Sequence, residues 1–515
     1  MVSTRPLALA VVLLAMTPVG CENYPFLPNR TTVSGANTDP LGGVFGVGEA
    51  FVENLIQERT FIDGTSITTI TYARDDVTRS PVGIDFNRDG KIDPVAAYGR
   101  DQAVIQILLS VGRPGEVDYV SLTLDSKRDL ADLADVAVGD IDADGSPDIV
   151  GAASEAVWYF HHPTDRPTTA LSEWGNPDPT DELRERVEGS LPDPNDPNQN
   201  IEAIIAQAVG PGVNLDDYIV TVNQSYTNVE IADFDLDGDN DIAASRTFKI
   251  SMAPRPEAPV EPILIVDGDV MVFENPGFAT TGRGWRKISV GRHERQQRLD
   301  RDGAAGLVVY DLDGDGDLDL ISAARDDNNV QVAWFENPGP PLDQTALWKQ
   351  WRIGSVRDAT AVDVLDLTLD GRPDVIATGG AQQQMLLFEQ PESGPKRAFD
   401  WDTSTIVTFE TYEPRDVKAI DIDNDGFVEL VTSGTNGTVR YFETPPNPRD
   451  AWDGVIVHNF PSGGEVGLLG YGDLDGDNDL DLLAIVRGEQ ESASRLVWFR
   501  NNLNSVIDLS PESAP

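Results

Sequence analysis

The sequence predicts an all-β fold, a seven-bladed β-propeller with four-stranded blades. Three observations carry that expectation. A nine-residue acidic loop of the form D-x-D-x-D-G-x-x-D recurs seven times in 515 residues. Each copy lies between two short apolar, β-branched runs, as strands bounded by a tight turn would. The first aspartates are separated by 55, 93, 78, 55, 55 and 52 residues, which reads as a period of 55 with two insertions. Self-similarity on that scale marks a repeat architecture, so length divided by a typical domain size does not count the domains here.

Within a unit the elements follow in a fixed order. An apolar strand precedes the loop, as in LVVY (Leu307 to Tyr310) or VKAI (Val417 to Ile420). A second follows it, as in IVGAA from Ile149 or LISAA from Leu320. A third ends on an aromatic and a polar step, in VWYFHHP, VMVFENP, VAWFENP, MLLFEQP, VRYFETP and LVWFRNN, which makes Phe160, Phe273, Phe335, Phe388, Phe442 and Phe499 equivalent. Packing between neighbouring blades is the expected role of these rings. A fourth strand starts at Trp285, Trp351, Trp401 or Trp452. Four short strands joined by turns make one propeller blade. The last unit stops after its third strand, so Ser66 to Tyr72, ahead of the first loop, is expected to supply its fourth strand and close the ring without a free sheet edge.

The loops carry the chemistry. Positions 1, 3, 5 and 9 are Asp85, Asn87, Asp89 and Asp93 in the first copy, and Asp140, Asp142, Asp144 and Asp148 in the second. The third has Asp233, Asp235, Asp237 and Asp241; the fourth, Asp311, Asp313, Asp315 and Asp319. The fifth has Asp366, Thr368, Asp370 and Asp374; the sixth, Asp421, Asp423, Asp425 and Glu429; the seventh, Asp473, Asp475, Asp477 and Asp481. Oxygens at this spacing around a turn, with a carbonyl at position 7 and water, supply the six or seven hard donors that Ca2+ takes. Position 6 is Gly in six copies and Asn478 in the seventh, the residue types that most readily adopt the positive φ such a turn needs. An EF-hand is excluded, because its bidentate Glu at position 12 is replaced by Ala96, Gly151, Ala244, Ser322, Ala377, Thr432 and Ala484. The first and fifth loops lack one carboxylate and carry Lys or Arg nearby, so they are expected to bind most weakly.

On these motifs the chain resembles the FG-GAP/VCBS repeat family, whose propellers include the integrin α-subunit head. The resemblance spans about residues 60–505. It implies seven blades with structural Ca2+, up to seven ions, in loops at one face between the first and second strands.

The ends imply export. Arg5, the apolar run Leu7 to Met16 and T-P-V-G-C ending at Cys21 read as a signal peptide over 1–20, too short to span a bilayer. Cys21, the single cysteine, falls where a lipobox places its lipidated residue, although Pro18 departs from the usual Leu. That points to an outer-membrane or cell-surface lipoprotein, or one facing the periplasm, with no intramolecular disulfide. Residues 21–58 read as a flexible tether, 59–505 as the propeller and 506–515 as a tail. The insertions are 163–216 in the second unit, with helical stretches at TDELRERVEG and NIEAIIAQAVG, and a longer hairpin at 247–268 in the third.

Net charge of −49 excludes a nucleic-acid partner, since phosphate contacts need a basic surface. The loops hold 29 of the 87 acidic residues; seven divalent ions would add 14 charges and leave −35. His161, His162, His293 and His458 have no metalloprotease spacing, and no nucleophile elbow or phosphate loop is present, so no catalytic residue is assigned. Arg100, Arg246, Arg325 and Arg487 each fall 13 to 15 residues after their unit's first Asp, just past the second strand. With the basic stretch Gly291 to Arg301 they are expected to line the face opposite the loops and bind an acidic protein or glycan. The leading expectation is therefore a monomeric, non-enzymatic binding or adhesion module; the runner-up is a carbohydrate-active enzyme of lyase or dehydratase type on the same scaffold.

Overall fold

The computed structural model describes residues 51–61, 64–68, 85–86, 92–98, 104–110, 119–125, 133–153, 156–162, 184–188, 205–206, 209–210, 213–277, 283–293, 305–324, 330–342, 348–396, 400–422, 427–460, 465–474, 480–487 and 494–501. These residues form seven four-stranded antiparallel sheets. Six are built from four strands consecutive in sequence, and the seventh joins the two ends of the described chain. Among the described residues helix is confined to isolated turns, such as the 3-10 turn Leu215–Asp217, and no helix is long and apolar enough to cross a membrane.

The first strands of the sheets are Gly64–Thr68, Asp135–Gly139, Tyr218–Ala232, Ala305–Tyr310, Ala359–Leu365, Pro414–Ile420 and Glu465–Gly472. Each touches the next, and Glu465–Gly472 touches Gly64–Thr68, so the sheets follow one another in a cycle. Three carboxylates tie neighbouring first strands. Asp135 accepts the Val229 N–H at 3.2 Å, Asp363 that of Ala419 at 3.2 Å, and Asp416 that of Leu469 at 2.9 Å.

The hydrophobic cores lie between sheets. One combines Val270, Val272 and Ile288 of the third sheet with Leu320, Ala333 and Phe335 of the fourth. Another sets Ile92, Ala96 and Leu108 of the first against Leu483, Ile485 and Trp498 of the seventh. Each sheet is thus covered on both faces, which is why inner second strands such as Asp374–Gly379 and Glu429–Gly434 are buried throughout, their polar residues included. The repeated phenylalanines fill these seams. Phe388 of the fifth sheet lies over Gly354 of the fourth, where an added Cβ would come within 2.2 Å of the ring, and Phe335 sits over Gly291 of the third in the same way. Glycine is required there for want of space.

Three expectations need correction. The strand that completes the seventh sheet is Phe51–Phe61, paired with Ser494–Asn501, and not Ser66 to Tyr72. Gly64–Thr68 is instead the first strand of the first sheet, hydrogen-bonded to Val95–Tyr98. The first unit needs its own strand in that place, and the end-pairing therefore draws on the chain before it, including 51–58 of the expected tether. In the second unit, Arg184–Glu188 within the expected helical stretch TDELRERVEG is the fourth strand, paired with Ala156–Phe160. Helix-forming Arg and Glu yield here to backbone pairing along an open sheet edge. The insertion therefore contains that strand. The remaining stretch is helical at Ile205, Ala206 and Val209, with the Gly210 N–H donated to the Ala206 carbonyl at 3.0 Å.

The third sheet is the longest. Tyr218–Ala232, Asp241–Pro254 and Ile263–Glu274 continue in register well past the length of their counterparts. The added length carries a small core of its own, Tyr218, Ile250, Met252 and Ile265, covered by Ile205, Val209 and Val213.

Candidate metal centres

The second to fifth loops are described in full, and their backbone is held by their own carboxylates. The position 1 carboxylate accepts the N–H groups of positions 5 and 6: Asp144 at 3.1 Å and Gly145 at 2.9 Å on Asp140, and Asp237 at 3.2 Å and Gly238 at 3.0 Å on Asp233. Asp311 and Asp366 repeat this, with Gly316 at 3.0 Å and Gly371 at 2.8 Å. Position 5 accepts the N–H of position 7, as in Ser146 on Asp144 at 2.7 Å. The glycine at position 6 has φ of 85°, 98°, 96° and 82° in the four loops, as expected. Position 4 is left-handed as well, including the non-glycine residues Ala143, Leu236 and Leu369 at 55–57°. No residue preference at position 4 signalled this, because the turn imposes the conformation on whatever side chain is there.

Position 9 has a second task. Its carboxylate is buried and grips two backbone N–H groups at once. Asp148 accepts from Ile141 at 3.0 Å and from His162 at 2.7 Å; Asp241 from Phe234 at 3.1 Å and Asn275 at 2.7 Å; Asp319 from Leu312 at 3.1 Å and Asn337 at 2.8 Å. Asp93 does the same with Phe86 and Ser110, Asp374 with Thr368 and Gln390, and Asp481 with Leu474 and Asn501. Glu429 accepts from Ile422 at 3.1 Å. Through their aspartates, all the loops except the sixth are thereby pinned to the ends of their third strands. The pairing also identifies Leu108 as the first unit's counterpart of the repeated phenylalanines, two residues before Ser110.

The polar step after the phenylalanine links neighbouring units. The Asn337 side-chain amide donates to the Phe234 carbonyl of the preceding unit at 2.9 Å and to the Leu318 carbonyl at 3.0 Å. Asn275 reaches Ile141, Gln390 reaches Leu312 and Asn501 reaches Ile422 in the same sense. Sequence reading noticed these residues without a role for them; the periodic Asn or Gln two residues after Phe was the available signal.

The donor set fits a hard cation. Ligand oxygens of Asp140, Asp142 and Asp148, of Asp233, Asp235 and Asp241, and of Asp311, Asp313 and Asp315 each lie within 4.8 Å of one another. Among the described residues, buried loop oxygens without a hydrogen-bond partner include Asp235 Oδ1 and Asp313 Oδ1. Burial lifts the carboxyls of Asp148, Asp241 and Asp319 to about 8 and that of Asp374 to about 6; the N–H donors offset this in part, and neighbouring carboxylates add to it. Asp235 is raised to about 6, by burial first and then by Asp237. Packed carboxylates of this kind need either protons or a cation between them.

In three loops a side chain already approaches the group. In the fifth, Arg372 pairs closely with Asp370. In the fourth, Lys396 Nζ lies 2.6 Å from Asp313 Oδ2 and 2.6 Å from Glu336 Oε1. In the second, His161 Nε2 is 2.7 Å from Asp142 Oδ2. Asn87 and Asp89 of the first loop, Asp423 and Asp425 of the sixth, and Asp475 and Asp477 of the seventh lie outside the described residues, as do Cys21, Arg100 and Arg325.

Among the arginines expected at the opposite face, Arg246 is wholly buried. Its guanidinium donates to Asp269 through Nε at 3.0 Å and Nη2 at 2.7 Å, and to Gln224 through Nη1 at 3.2 Å. It is a structural ion pair and is not offered to a ligand. Arg487 ends its strand opposite Glu465, and its side chain is outside the description.

No curated protein matches the chain in sequence. Similar solved structures cover 87% of it: the Dos1 propeller at 10% identity, 94% of that chain and a TM-score of 0.41; Chaetomium thermophilum Sqt1 bound to the N-terminus of ribosomal protein L10 at 13%, 99% and 0.42; and the NanB sialidase from Streptococcus pneumoniae at 10%, 70% and 0.38. Residues 311–377, which hold the fourth and fifth acidic loops and the strands between them, match the FG-GAP-like repeat.

Proposed function

We propose that the protein is a seven-bladed β-propeller stabilised by Ca2+ in its acidic loops, working as an exported, non-enzymatic binding module. The observation that carries this reading is the double use of the fully described loops: carboxylates converge at positions 1, 3 and 9 in the second and third loops and at positions 1, 3 and 5 in the fourth, and the position 9 carboxylate clamps each of the second to fifth loops to its own third strand. A cation in such a loop braces the scaffold and is tied to no reacting centre. Export and lipidation at Cys21, read from the N-terminal sequence alone, would put the module at the outer membrane or cell surface, or facing the periplasm. The ligand, an acidic protein or a glycan, would meet the ends of the sheets away from the loops. There the extended third sheet offers Ile219, 52% exposed, and Val220, 38% exposed. Arg100, Arg325 and Arg487 are the residues that the sequence alone assigns to that face.

Calorimetric titration with Ca2+ and melting with and without EDTA test the scaffold part. Cations bound by the folded state alone raise the melting temperature by mass action; unchanged melting with no calcium heat refutes it. A glycan array read with and without EDTA tests the second part. Reversible capture without product supports a binding module, whereas consumption of a glycan identifies an enzyme.

A further inference from the structure

The second loop differs from its counterparts in one donor, and that donor changes which ion it suits. We propose that it is a site for a divalent transition cation of the Zn2+ or Co2+ class, held by Asp142, Asp144 and the imidazole of His161. This rests on reading the loops as cation sites, and deepens that reading for one of them. The donor atoms of these three residues lie within 4.8 Å of one another. His161 is brought in from a separate element, the end of the strand Ala156–Phe160, and its ring lies against Tyr159 with centroids 6.2 Å apart. Nε2 to Asp142 Oδ2 is 2.7 Å, with the two side chains 16% and 6% exposed. Two ligands of a tetrahedral ion, each about 2.1 Å from it, stand about 3.4 Å apart, so the pair would have to part by less than about 1 Å to admit a metal between them.

The fold itself indicates that positive charge belongs at this spot. The residue after the repeated phenylalanine is His161 in the second unit and Glu336 in the fourth. In the fourth unit that residue and the position 3 aspartate, Asp313, share the Lys396 ammonium, 2.6 Å from each. The corresponding pair in the second unit is His161 and Asp142, and it meets across a hydrogen bond. Calcium favours oxygen donors. An imidazole together with carboxylates suits first-row divalent ions.

The test is a Co2+ titration of the full chain in excess Ca2+, read by visible d–d absorption, with Zn2+ competition followed by calorimetry. One equivalent of Co2+ is expected to bind, to be displaced by Zn2+, and to weaken at least about 10-fold in His161→Gln, since losing a direct ligand should cost no less than losing an outer-shell partner. His161→Glu restores the residue type of the third to sixth units; it is expected to keep Ca2+ binding and melting temperature while losing the Co2+ band. No Co2+ band in the presence of Ca2+, or a band equally strong in both variants, overturns the proposal. Failure of the calcium reading looks different: no calcium heat and no thermal shift, whatever Co2+ does.

Discussion

Removing the Asn337 amide should loosen the joint between the third and fourth repeats. The side chain is 3% exposed and donates to two main-chain carbonyls, Phe234 of the preceding unit at 2.9 Å and Leu318 at 3.0 Å. Asn337→Ala leaves both without that donor. A buried polar group stripped of its partner costs about 1–3 kcal/mol, so the change should cost about 2–6 kcal/mol. At roughly 2.1 cal/mol/K per residue over a body of roughly 450 residues, 1 kcal/mol corresponds to about 1 °C, which places the melting shift at about 2–6 °C. Urea unfolding followed by circular dichroism should show a lower midpoint with an unchanged slope. A midpoint within error of the parent would refute the reasoning, because the staple would then be a contact that water replaces at no cost. Asn275→Ala, which frees Ile141 and Asn240, should behave alike.

Other outcomes follow from the same structure. Arg246→Leu strips the buried Asp269 of its bidentate partner and should cost about 3–5 kcal/mol, read as a lowered urea midpoint. Gly354→Ala sets a Cβ 2.2 Å from Phe388 and should cost about 1–3 kcal/mol by melting, unless the ring can move away. Asp148, Asp241 and Asp319 sit near 8 in the folded chain against 3.8 unfolded, so between those values the metal-free fold holds more protons than the unfolded chain. Its stability should therefore fall as pH rises from 5 to 8 in EDTA, and excess Ca2+ should abolish or reverse that slope in melting scans. Lys396→Ala withdraws the ammonium from Asp313 and Glu336, and calorimetry should then show tighter calcium binding at one loop.

Much of the fold was legible because the determinants are local and repeated. Alternation of apolar strands with turns fixed the strand order within a unit, and the repeated phenylalanines marked the seams that Phe335 and Phe388 fill. The closing strand was misplaced because pairing between Phe51–Phe61 and Ser494–Asn501 joins segments more than 430 residues apart, and nothing local in either names the other. Arg184–Glu188 was misread for a related reason: Arg and Glu favour helix in isolation, and only the open edge of Ala156–Phe160 makes them a strand. At the loops, the ligand pattern was readable from spacing alone. The approach of Lys396 to Asp313 was not, since it crosses from one repeat to the next.

The period, the four-strand unit and the acidic turn with its glycine, and therefore a scaffold suited to cations, are written in the chain. These follow from side-chain alternation and backbone conformation, which act over a few residues. How the units are joined is a matter of packing. It set the Asn staples between adjacent loops, the grip of the position 9 aspartates on distant strand ends, the burial of Arg246 against Asp269, and the meeting of His161 with Asp142. Each depends on a neighbour brought close by packing, and the energy of a buried polar group is set by the partner it finds there.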